Sequence, residues 1–154
     1  MAVFINGRDL TVEEVIRVCR DNEEVQLTEE AVAAVKKARA YIEKKLEEKA
    51  VIYGLTTGFG KFANVVIDND QTEQLQRNLI ISHTCAMGNP YPRHFVRAAM
   101  LLRCNALARG NSGIRLETLQ TLLDMLNKGV HPIIPEKGSL GASGDLAPLS
   151  HIAL

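Results

Sequence analysis

Residues 92–108, PRHFVRAAMLLRCNALA, followed by RGNSGIR at 109–115 and LETLQTLLDMLNKG at 116–129, decide the fold. The first run reads as a long helix from about Pro92 to Ala108. Gly110-Asn111-Ser112-Gly113 punctuates it, and Leu116, Leu119, Leu122, Leu123, Met125 and Leu126 then fall at helical spacing until Gly129 ends the segment. Two helices joined by a glycine turn place the chain among mainly α proteins.

The pattern extends upstream. Val3-Phe4-Ile5 before Asn6-Gly7 predicts a short strand and a tight turn. Thr11 with Glu14 forms a capping box, so a helix is expected over about 12–20. Thr28 caps the next, which runs from Glu29 to about Glu48 with Ala31, Val32, Val35, Ala38, Tyr41, Ile42 and Leu46 on one face and Lys and Glu on the solvated one. Another helix is predicted from Thr72 through Leu75, Leu79, Ile80 and His83 to Met87, where Gly88-Asn89-Pro90 stops it. The expectation is an assembly of antiparallel helices with a short N-terminal strand and two long loops, 51–70 and 130–144, where function is expected.

Composition bounds the function. The 154 residues carry 18 basic and 18 acidic side chains, 46% apolar residues and no Trp, an ordinary globular balance that does not favour nucleic acid as a partner. No apolar run is long enough to span a membrane, and the N-terminus lacks the pattern of a signal peptide, so a cytoplasmic protein is expected. Cys19, Cys85 and Cys104 have no paired spacing and sit in apolar periodic stretches, so they are expected to be buried small hydrophobes rather than disulfide partners or metal ligands. The last residues, Leu146 to Leu154, are apolar without a helix-stop signal and read as a chain cut within an element.

Both loops carry chemistry. In Tyr53-Gly54-Leu55-Thr56-Thr57-Gly58-Phe59-Gly60-Lys61-Phe62-Ala63, a phosphate loop fails because Leu55 and Phe62 stand where a glycine and a hydroxyl are required. Gly58, Gly60 and Ala63 match a dinucleotide pattern, but Val65-Val66-Ile67 reads as extended chain where a helix must start. Neither nucleotide nor metal is therefore expected. Tyr53 is the loop's one side chain with useful acid–base chemistry, and a phenol needs help to act as a base.

The second loop is Glu136-Lys137-Gly138-Ser139-Leu140-Gly141-Ala142-Ser143-Gly144-Asp145. A nucleophile elbow fails, with Asp145 in place of its second glycine, and a Ser143, Asp145 and His151 triad would have to come from nine consecutive residues. Backbone cyclisation suits the residue types better. Attack of the Gly144 nitrogen on the Ala142 carbonyl carbon closes a five-membered ring. Loss of that oxygen as water and of the Ser143 hydroxyl as a second water leaves a methylidene-imidazolone electrophile. Ala and Gly crowd the strained turn least, and Asp145 offers a carboxylate beside the ring that could move protons.

Residues 138–151, from Gly138-Ser139-Leu140-Gly141 through Ala142-Ser143-Gly144-Asp145 to Ser150-His151, resemble the signature of the histidine/aromatic amino-acid ammonia-lyases. Residues 53–60 are similar to that family's tyrosine loop, and Gly110-x-Ser112-Gly113-Ile114-Arg115 to its segment after the third long helix, with Asn111 where many relatives have an aromatic residue. The resemblance implies that Ala142, Ser143 and Gly144 become the electrophile, that Tyr53 takes the substrate's β-proton, aided by desolvation and nearby positive dipoles, and that ammonia then leaves. It implies that a helix starting near Asp145 directs its positive end at the electrophile, and that Ser82, His83 and Gly60 contact the substrate. The Ser82-His83 pair resembles the histidine-using members, which implies L-histidine as substrate and urocanate as product. A phenylalanine or tyrosine ammonia-lyase or aminomutase is the alternative, and a catalytically silent fragment or interaction module is the alternative of another class.

Two divisions are implied as well: residues 1–110 as an N-terminal helical domain with the tyrosine loop, and 111–154 as the start of a central domain. Family members run on well beyond this length into a helical bundle. That part carries the arginine for the substrate carboxylate and most of a tetramer interface, so a homo-oligomer is implied and this chain alone is expected to be inactive.

Overall fold

The computed structural model describes residues 2–67, 69–141 and 144–154, the side chains of Asn69 and Asp70 excepted. It is mainly helical, as expected, and divides into two compact units interleaved along the chain. One takes the chain up to Ile42 together with Pro90–Ile134, and the other Glu43–Asn89 together with Pro135–Leu154. No helix among the described residues is long and apolar enough to cross a membrane.

The first unit holds the core. Strand β1 (Val3–Ile5) runs parallel to β2 (Val25–Leu27), with Val3 opposite Val25 and Ile5 opposite Leu27. The crossover between them is helix α1 (Val12–Arg20), whose capping box forms in full: Thr11 accepts from the Glu14 amide, and the Glu14 carboxylate accepts from the Thr11 amide at 2.9 Å. The sequence reading missed β2, three residues between Glu24 and Thr28. Its outer edge is satisfied by a side chain, because Asn127 accepts from Val25 N and donates to Val25 O, both at 2.9 Å.

Helix α2 (Glu29–Glu47) starts at the Thr28 cap, whose hydroxyl accepts from Ala31 N at 3.1 Å. Helices α4 (Arg93–Ala108) and α5 (Leu116–Asn127) follow the predicted bounds within about a residue, and α4 packs against both α1 and α5. Met100, Leu101, Cys104 and Ala108 of α4 meet Leu119, Leu123 and Leu126 of α5 in a fully buried layer. At the turn between them Gly110 has φ +74°, and a Cβ there would lie 2.7 Å from the Ala34 backbone, so only glycine fits.

Arg97 is 2% exposed in this core and has no carboxylate partner among the described residues. Its guanidinium donates to Val18 O at 2.7 and 3.1 Å, to Leu126 O at 2.9 Å and to His131 Nε2 at 2.9 Å. Val18 and Leu126 lie near the C-terminal ends of α1 and α5, so one cation serves the negative ends of two helices.

In the second unit, helix α3 (Asn69–His83) packs on helix α6 (Leu146–Ala153), and strands β3 (Met87–Pro90) and β4 (Pro135–Lys137) pair. The structure corrects the expected helix over 72–87: α3 begins at Asn69 and ends at His83. Thr84 bonds back to Ile80 through its hydroxyl at 2.7 Å, the Cys85 amide turns onto His83 O at 3.0 Å, and Asn89-Pro90 holds the chain extended. Those turns also correct the cysteine expectation: Cys19 and Cys104 are buried, but Cys85, beyond the helix end, is exposed.

Candidate active site

The tyrosine loop is organised by two threonines. The Thr56 hydroxyl accepts from Ile52 N at 2.8 Å and donates to Ala50 O at 3.0 Å. Thr57, 1% exposed, accepts from Gly54 N at 3.2 Å and donates to Gly58 O at 3.0 Å. Thr57 also bridges to Val66 across the loop, so a segment without regular structure is closed by hydroxyls and backbone bonds. Tyr53 projects from it, 63% exposed, with its ring edge-on to Phe59 at 5.9 Å and its Oη accepting from Gly60 N at 3.4 Å.

The glycine-rich loop is closed by a different contact. Ser139 Oγ donates to Asp145 Oδ1 at 2.7 Å, tying together residues that flank the Ala-Ser-Gly triplet. Ala142 and Ser143 lie outside the described residues. Their described neighbours Gly141 and Gly144 have φ +65° and +109°, and a Cβ on Gly144 would meet nothing within 4 Å. Backbone of this kind, open and left-handed with its ends held together, fits a loop that cyclises on itself. Asp145 precedes α6 as expected, but its carboxylate braces Ser139 and does not cap the helix.

A cavity of about 220 Å³ lies against this loop, lined by Ser82, His83 and Cys85 from the end of α3 and beyond, by Gly138–Gly141 and Gly144, and by Leu146 and Ala147 of α6. The structure therefore brings together Ser82, His83 and Gly144, three residues singled out in sequence. It does not place Tyr53 or Gly60 among the residues lining that cavity. Ser139 and Cys85 were missed. For Ser139 the available signal is a hydroxyl six residues before a carboxylate across a glycine-rich turn. Of the serine triad, Ser143 lies outside the described residues, the Asp145 carboxylate is bonded to Ser139, and His151 Nε2 is buried with no hydrogen-bond partner among the described residues.

At His83 the last turn of α3 fixes the ring. Nδ1 lies 2.8 Å from Leu79 O and 3.0 Å from Ser82 Oγ, and Ser82 Oγ donates to the same carbonyl at 2.8 Å. The apolar wall, the glycine backbone and one imidazole line a small concave site beside the loop.

The family description "Aromatic amino acid lyase" matches residues 10–154, and the chain belongs to that family. It is 59% identical over 152 residues to a histidine ammonia-lyase of Alkaliphilus oremlandii, covering 99% of this chain and 30% of that relative. Among solved structures it is similar to the histidine ammonia-lyase of Trypanosoma cruzi, with TM-score 0.91 and 41% identity over 100% of this chain and 29% of that one. The ergothionase of Treponema denticola is similar at TM-score 0.94 and 37% identity, over 100% of this chain and 31% of that one. The chain thus spans about a third of the length of the relatives it matches.

Proposed function

We propose that this chain carries one part of the active site of a lyase that removes ammonia from L-histidine to give urocanate, and that the longer protein to which it corresponds performs the reaction. The cavity shared by His83 and the tied Ser139–Asp145 loop carries this reading. Ala142, Ser143 and Gly144 supply the methylidene-imidazolone, an electrophile for the amino group that no ordinary side chain provides.

The chain's own residues supply the setting. Asp145, through Ser139, holds the loop ends together. His83 receives the substrate ring, and Gly138–Gly141 let the ligand approach the backbone closely. Tyr53 takes the β-proton onto its phenol oxygen, beside which the Gly60 amide stands as a donor. The α6 N-terminus beside Gly144 favours negative charge developing there. The substrate carboxylate, the remaining site groups and the oligomer interface come from the longer protein, as a homotetramer in the cytoplasm. The division at residue 110 belongs to that larger architecture.

The test is ammonia release by the full-length protein supplied with histidine, tyrosine or phenylalanine, with urocanate as the product expected from histidine. Histidine is expected to be the preferred substrate, Tyr53→Phe to lower turnover by about 10²–10⁴-fold, and the 154-residue chain alone to be silent. Preference for tyrosine or phenylalanine contradicts the substrate assignment, and turnover by the chain alone contradicts the division of labour.

A further inference from the structure

We propose that Ser82 is a positioning residue that fixes the tautomer of His83, so that the cavity selects a ligand whose ring carries an N–H donor. The identity of the ligand rests on the histidine reading above; the tautomer rests on geometry alone.

Leu79 O lies 2.8 Å from His83 Nδ1. A carbonyl oxygen only accepts, so its contact favours hydrogen on Nδ1, but this carbonyl is shared with the Ser82 hydroxyl and a second acceptor is needed to make the preference decisive. Ser82 closes a triangle. Its hydroxyl donates to Leu79 O at 2.8 Å and its oxygen stands 3.0 Å from Nδ1. With its own hydrogen committed to Leu79, Ser82 Oγ turns a lone pair toward Nδ1–H, and the two acceptors enforce one tautomer. A neutral imidazole has a single N–H, so Nε2 is left as a bare acceptor. His83 lines the cavity, and Nε2 has no hydrogen-bond partner among the described residues.

A free histidine side chain in water favours the opposite form, with hydrogen on Nε2, so the preference at His83 is imposed by the helix end. A bare Nε2 discriminates by chemistry. An imidazole N–H satisfies it, whereas a phenyl ring or an N-methylated imidazole strips its water and returns no hydrogen bond. Ser82, assigned to substrate contact from sequence, is therefore reassigned to holding the group that makes the contact.

Long-range proton–nitrogen correlation spectra of the ¹⁵N-labelled chain at pH 8 read the tautomer directly. The expected result is a protonated Nδ1 and a bare Nε2 at His83, a shift toward the Nε2–H form in Ser82→Ala, and recovery in Ser82→Thr. Ser82 is exposed, and the amide spectrum of each variant reports whether the fold is kept. A wild-type ring protonated on Nε2, or a folded Ser82→Ala variant indistinguishable from wild type, overturns the proposal. For selection, imidazole is expected to shift the His83 Nε2 resonance and 1-methylimidazole to leave it unmoved; equal response to both, or to neither, overturns the donor preference. The tautomer can fail while histidine turnover by the full-length protein stands, and the reverse, so the two readings fail separately.

Discussion

The two units of this chain are held together by different physics. Among the described residues, every buried apolar side chain except Ala147 belongs to the first unit, whereas Thr57 and Ala147 are the buried side chains of the second. The first unit has interlocked aliphatic layers with a buried cation at two helix ends. The second relies on hydroxyls closing loops, on glycines in left-handed backbone and on one serine–carboxylate tie. The residues of the candidate site are drawn from the region with the least core.

Thiol labelling should show the largest contrast. Burial pushes the Cys104 thiol up to about 12 and raises Cys19 as well, while Cys85 is exposed. At pH 8 an electrophilic reagent is expected to modify Cys85 about 10³-fold faster than Cys104, because burial denies Cys104 both access to the reagent and its thiolate form. Mass spectrometry of partially labelled chain checks this, and comparable rates at both sites would erase the contrast.

Stability should follow the same division. Leu123→Ala, in the fully buried layer, is expected to cost about 3 kcal/mol in urea unfolding. Leu140→Ala, at a side chain 92% exposed in the glycine-rich loop, is expected to change stability by less than about 0.5 kcal/mol. Between them, Thr11→Ala removes the reciprocal cap of α1 at about 1 kcal/mol.

A smaller effect is expected from pH. Burial first, then the charges of Arg97 and Arg93, hold His131 below the ordinary imidazole range. The unfolded chain therefore binds a proton there more readily than the folded one. Stability from this group is complete above pH 6.5 and is lost as pH falls through that value toward the lower folded one. In His131→Gln the slope of unfolding free energy against pH should flatten in that window, and an unchanged slope would show that His131 is not its source.

Much of the fold was legible because its signals are local. Thr11 with Glu14 and Thr28 before Glu29 mark helix starts through bonds made within one turn, and the observed helices begin there. Strand β2 was not legible, since its edge is satisfied by Asn127, a hundred residues away in sequence. Arg97 reads as one more base in a helical run; only convergence of two helix ends makes a buried site for it. The end of α3 was misread because the apolar spacing continues past His83, while a threonine hydroxyl and a prolyl constraint stop the helix. The same error buried Cys85 on paper.

At the site, the Ser82-His83 pair and the glycine-rich loop were legible from residue type and order, and the structure joins them around one cavity. The Ser139–Asp145 tie and the His83 tautomer were not, because each depends on where a single hydrogen is donated.

The most direct test of the central claim is the intact mass of the full-length protein carrying this sequence, compared with its Ser143→Ala variant. The account predicts a wild-type mass short by two waters, localised to the peptide containing residues 142–144, with no such loss in the variant. A catalytically active protein whose wild-type mass retains both waters would contradict it.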